Sequence, residues 1–151
     1  MINSLPPGFI MFIGAFLIPF LPKLSRQVYM IFLVILSAFS LFNGFGTHLT
    51  INVLDYNFII NHSDNLSLPF AIVFHIAAFI TIIYGSHKDD WKENLAVISY
   101  AGAAIAALHA GDLFTLFFWW EATAFTSVFL ILGGNTPRAV SYTHLTLPTI
   151  E

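Results

Sequence analysis

The sequence has no cysteine, which excludes disulfides, thiolate metal sites, iron–sulfur ligation and thiol nucleophiles. Charge is almost as scarce: Asp, Glu, Lys and Arg together make up 9 % of the chain, and only five residues are basic. No basic stripe of the kind that tracks nucleic acid can be built from so few. The first apolar stretch is not expected to be a secretory leader, because it lacks a basic n-region and Pro19 to Lys23 is a poor small-residue cleavage site. The expectation is a retained first helix. No pairing of acid with nucleophile and no metal-ligand spacing marks an enzyme, so the chain is not expected to catalyse a reaction by itself.

What is present is apolar surface. Hydrophobic residues make up 58 % of the 151 and the mean hydropathy is +0.82, more than a soluble domain of this length can hide. The composition predicts an all-α integral membrane protein of about five transmembrane helices. The apolar stretches are 9–21, 28–45, 68–84, 95–109 and 113–132. The first is short and carries Pro19, a site for a kink. Ser67 is the expected cap of the third helix and Asp112 of the fifth. Between the second and third stretches, Leu49, Ile51 and Val53 alternate with Thr50 and Asn52, and Asp55-Tyr56-Asn57 offers a turn. That pattern predicts a short extramembrane β-hairpin. The fourth stretch places Gly102, Ala106 and Ala110 at four-residue spacing beside Ala103, Ala107 and Gly111, a surface for close backbone approach.

Basic residues fall in alternate connections: Lys23 and Arg26, then Lys88 and Lys92, then Arg138. Five crossings with this pattern put the N-terminus and the hairpin outside and the basic loops inside a cell (inner) membrane.

Glu121 is the strongest chemical signal, about eight residues or roughly 12 Å inside the fifth helix. An acid at that depth normally faces a bundle interior and has a partner. Burial raises a carboxyl pKa and a basic neighbour lowers it, which makes such a group a switchable proton carrier. The plainer alternative is a neutral acid pinning helices together through Thr123, Thr126 or Ser127. Phe117, Phe118, Trp119, Trp120 and Phe125 would keep it dry. His75, in the third helix, is either a proton-passing imidazole or a structural hydrogen-bond donor. His109 is expected at the outer interface with Asp112 as a local partner, the alternative being a proton-transfer role. Haem ligation by this pair is the weakest alternative, and no cofactor is expected. The loop His87 to Glu93 is a solvated charged loop rather than a metal site.

The segment Gly111-Asp112-Leu113-Phe114-Thr115-Leu116-Phe117-Phe118-Trp119-Trp120-Glu121, with Ala122 to Leu132 after it, resembles the fifth helix of antiporter-like membrane subunits. These occur in respiratory complex I, the NADH-quinone oxidoreductase, and in Mrp-type multisubunit cation/proton antiporters. The likeness is closer to the D-type subunits of the latter, because Asn135-Thr136-Pro137-Arg138-Ala139 is similar to their following loop. His62 to Ser67 before the third helix and Tyr84 to His87 after it are similar too. The resemblance spans roughly 8–139. It implies that residues 1–139 form the N-terminal helix bundle of such a subunit and that Glu121 is a proton-relay acid. Its partner would be a lysine on a later helix beyond this chain. The implied partners are other membrane subunits, the bilayer, protons and a monovalent cation such as sodium. Residues 140–151 depart from the family and are expected to be a foreign tail, from truncation or assembly error.

Overall fold

The computed structural model describes residues 5–53, 56–87 and 90–133. The expected tail and the loop 134–139, together with Lys88 and Asp55, lie outside them. Among the described residues the chain is mostly helical, with five α-helices and one two-stranded antiparallel hairpin. The helices are α1 (Pro7–Ala15), α2 (Lys23–Asn43), α3 (Ser67–Tyr84), α4 (Trp91–Leu108) and α5 (Leu113–Gly133). Strands β1 (His48–Val53) and β2 (Tyr56–His62) fall between α2 and α3 as the alternation predicts, with a bulge between Leu49 and Thr50.

Among the described residues three helical segments are long and apolar enough to cross a membrane: Lys23–Asn43, Ser67–His87 and Leu113–Leu132. They are consistent with membrane localisation. The first helix is shorter than expected. Pro19 has no N–H to give the Ala15 carbonyl, so the α-helix stops at Ala15 and a 3-10 turn over Ile18–Phe20 follows. Nine residues rise only about 14 Å, roughly half a hydrocarbon core. Other boundaries also shift. Asp90 caps α4 by accepting from Lys92 N–H at 2.9 Å, which draws Lys92 and Glu93 out of the expected loop into the first helical turn. Asp64, rather than Ser67, performs the main capping of α3. Its Oδ1 accepts from the N–H groups of Ser67 at 2.7 Å and Leu66 at 3.1 Å. These bonds, from Ser67 above all, hold the Asp64 carboxyl below the usual carboxylate range.

Helix α4 is central, with α1 and α5 packed on it and α3 alongside. The expected small-residue contact is realised between α4 and α1. A Cβ at Gly102 would lie 2.6 Å from Phe12 N and 2.8 Å from Gly8 O. Only a residue without a side chain lets the two backbones approach this closely. The buried core beside this contact consists of Met11, Ala15 and Ile18 with Met30, Leu33, Ile98 and Ile105. On α2 the buried stripe is Arg26, Met30, Leu33, Val34, Ser37 and Leu41, a helical spacing with two polar members. Tyr29 Oη donates to Gly14 O at 2.9 Å and Ser37 Oγ to Pro7 O at 2.8 Å, tying α2 to α1 at two levels.

The hairpin is docked rather than free. His62 N–H donates to His109 O at 2.7 Å, Gly111 N–H to Ile59 O at 3.0 Å, and Ile59 N–H to Asp112 Oδ2 at 2.6 Å. The turn between α4 and α5 thus satisfies backbone groups of β2 that would otherwise form an open sheet edge.

Candidate functional site

Helix α5 positions Glu121 eight residues in from its start, as expected, but the carboxyl is not buried within this bundle. The buried residues of α5 are Thr115, Trp119 and Thr126, which share one face at 100° per residue. Glu121 projects well over 90° away from that stripe and is exposed. Aromatic residues occupy every side of α5, so their pattern could not say which face turns inward. Only Trp119 does, at 3 % exposure, packing edge-on against Phe9 (6.1 Å) and Phe12 (5.5 Å) of α1. Phe117, Phe118, Trp120 and Phe125 stand outward beside Glu121.

The hydroxyls expected to hold Glu121 are spent on their own helix. Thr123 Oγ1 donates to Trp120 O at 2.6 Å, Thr126 Oγ1 to Ala122 O at 2.9 Å and Ser127 Oγ to Ala124 O at 2.7 Å. Among the described residues Glu121 has no hydrogen-bond or ion-pair partner.

His75 lies inside the bundle at 5 % exposure, eight residues from the start of α3 and at the same helical depth as Glu121. Its Nδ1 is 2.7 Å from Ala71 O, one turn back. A carbonyl oxygen can only accept, so Nδ1 carries a proton. Its Nε2 is 2.9 Å from Ser37 Oγ, the hydroxyl that also reaches Pro7 O. Both ring nitrogens are engaged by protein atoms, and axial ligation of a haem would have to displace one of them.

His109 is covered by protein. It is 0 % exposed, because β2 folds back over the end of α4 and bonds to its carbonyl. Asp112 is not its partner. That carboxylate accepts instead from Thr115 N–H (2.8 Å), Thr115 Oγ1 (2.9 Å) and Ile59 N–H. Partial burial pushes the Asp112 pKa up, but these hydrogen bonds outweigh it and hold the carboxyl below the usual range. His109 repeats the His75 arrangement: Nδ1 is tied to the carbonyl one turn back, Ile105 O, at 2.8 Å. Its Nε2 is buried and has no hydrogen-bond partner among the described residues.

The structure therefore separates the three candidates. His75 and His109 lie in one interior, where the charge of His109 is felt at His75, and His109 is also within electrostatic range of Asp64. Glu121 faces away on another helix. Ser37 and Ser99 are buried polar residues that the sequence pattern did not single out. For Ser37 the signal was available, since it is a lone polar residue among the apolar buried positions Met30, Leu33, Val34 and Leu41 of α2. No protein-family model, no curated protein and no solved structure matches the chain.

Proposed function

We propose that the chain is the N-terminal helix bundle of an antiporter-like membrane subunit and that Glu121 carries protons in a proton- or cation-translocating assembly. The supporting observation is the place of Glu121: mid-helix in an apolar 21-residue α5, on an exposed face, with no polar partner among the described residues. A lone acidic residue at that depth costs about 2.5–3.5 kcal/mol against lipid. A covering helix that supplies a cation or a hydrogen-bond donor removes this cost, and the lysine implied by the family resemblance is such a group. A carboxyl between an apolar face and a nearby cation can exchange its proton as the cation moves or is neutralised.

In this reading α2, α3 and α5 span the bilayer, with α4 and the shorter α1 completing five passes between them. The N-terminus and hairpin lie outside; Lys23, Arg26, Lys88 and Lys92 lie inside. Outward side chains such as Phe32, Phe39, Phe70, Ile76, Ile80 and Phe125 support a lipid or subunit surround, since water would not tolerate so continuous an apolar exterior. His75 and His109 are lesser candidates for the same proton path. The transported ions would be protons and a monovalent cation, and the partners other membrane subunits, of an antiporter or of an NADH-quinone oxidoreductase-like complex.

A second reading is a scaffold. The outward Phe117, Phe118, Trp120 and Phe125 form a face suited to packing against a neighbouring subunit. Dicyclohexylcarbodiimide, which adds to protonated carboxyls in apolar surroundings, separates the two. In native membranes it is expected to modify Glu121 and to stop cation/proton exchange in proportion to that modification. Full modification with undiminished exchange would favour the scaffold.

A further inference from the structure

Three short contacts converge at His75: Nδ1 to Ala71 O at 2.7 Å, Nε2 to Ser37 Oγ at 2.9 Å, and Ser37 Oγ to Pro7 O at 2.8 Å. Each needs a proton between its heavy atoms to be a hydrogen bond. A neutral imidazole and a hydroxyl bring two, and an imidazolium and a hydroxyl bring three. With neutral His75, Nδ1 must spend its proton on Ala71 O. The Ser37 proton must then choose between the Nε2 lone pair and the Pro7 carbonyl, and one contact is left as two facing lone pairs. With a proton on Nε2, all three contacts close: Nδ1–H to Ala71, Nε2–H to Ser37 Oγ, and the Ser37 hydroxyl to Pro7.

We infer that His75 and Ser37 form a proton-operated latch on α1. Protonation at Nε2 frees the Ser37 hydroxyl to hold the first turn of α1, and loss of that proton turns the hydroxyl back to His75 and releases Pro7. One N–H bond forms or breaks at Nε2, and the Ser37 hydroxyl only rotates. Proton arrival is thereby converted into attachment of α1. That helix is nine residues long, and its Phe9 and Phe12 pack on Trp119 of α5. The latch lies apart from Glu121 and stands or falls without it.

The electrostatic surroundings leave His75 as the responding group. Among the described residues, α1 brings no charged side chain to it. Helix α2 brings Ser37, its charged Lys23 and Arg26 standing eleven or more residues away at the other end, while Tyr29 is engaged with Gly14 O. Helix α4 brings His109 from its C-terminal end, its Lys92 and Glu93 being sixteen or more residues from that end, and Tyr100 lying on an exposed side. Asp64 acts at one remove, through His109.

The test is a pH titration of the full chain in nanodiscs with ¹⁵N-labelled histidine, His75 being assigned from the His75→Gln spectrum. Nδ1 is expected to stay protonated throughout while Nε2 gains its proton as pH is lowered over the range in which the chain stays folded. In the Trp91→Phe, Trp120→Phe background, Trp119 emission is expected to shift with the same midpoint. Ser37→Ala should abolish the emission change while His75 still titrates, and Ser37→Thr should restore it. A neutral His75 protonated at Nε2 instead of Nδ1, a His75 that does not titrate while the chain stays folded, or Trp119 emission that is flat in the double-Phe background would overturn the latch. The wild-type spectra decide the first two even if Ser37→Ala does not fold. Ion flux is not read, so the result is separate from the role of Glu121.

Discussion

The Ile59 N–H donates to Asp112 Oδ2 at 2.6 Å across 53 residues of sequence, and the same carboxylate caps the first turn of α5. One side chain thus starts the helix that carries Glu121 and fastens the hairpin to it.

Asp112→Ala removes both functions. Loss of the cap alone costs about 1–2 kcal/mol, and the unpaired Ile59 N–H adds to it. The folded-state pKa of Asp112 lies below that of the unfolded chain, so its stabilising contribution is complete above the unfolded value of about 3.9 and drains away as pH falls through the folded value. Denaturant titrations in detergent are expected to give a lower midpoint for Asp112→Ala than for wild type at pH 7, with the gap closing in acid. An equal gap at both pH values would contradict the assignment.

Gly102→Ala pushes a methyl group onto the backbone of Phe12 and Gly8. The expected loss is about 1–3 kcal/mol, since neither neighbour is a flexible side-chain tip. Gly85→Ala is the control, because a Cβ there meets nothing within 4 Å, and it should stay within about 0.5 kcal/mol of wild type. The two thermal unfolding curves measure the difference. Coinciding curves would show that α1 and α4 do not meet at this point.

The absence of native cysteine makes single-cysteine topology mapping clean. With a membrane-impermeant maleimide applied to intact cells, Asn52→Cys in β1 is expected to label. Ser25→Cys, in the first turn of α2, should label only after permeabilisation. The reverse pattern would invert the proposed orientation, and labelling of both from outside would break the placement of α2 as a span.

Much of the architecture was legible in the sequence. Long apolar runs bounded by Pro22, Gly85 and Asp112 locate α2, α3 and α5, alternation locates the hairpin, and the glycine–alanine ladder locates the tight face of α4. Long-range packing decided the rest. Which side of α5 turns inward depends on Trp119 finding Phe9 and Phe12, a choice that an all-round aromatic helix conceals. His109 is buried because a hairpin about fifty residues earlier in the chain folds over it. Pro19 was visible as a kink site, but whether it would bend or end the helix depended on how α1 packs against α2 and α4. The pairing of Ser37 with His75 joins two helices through single polar residues, and only their meeting in the fold reveals it.

The most direct test of the central claim is ion flux through the native assembly reconstituted in proteoliposomes, with Glu121 exchanged for Gln. The substitution keeps size and hydrogen-bonding capacity and removes the titrating proton. The account predicts assembly at wild-type levels and ΔpH-driven cation exchange reduced by about 10²-fold or more, with Glu121→Asp retaining part of the flux. Wild-type flux in a fully assembled Glu121→Gln complex would contradict it and leave Glu121 as a packing residue of a scaffold.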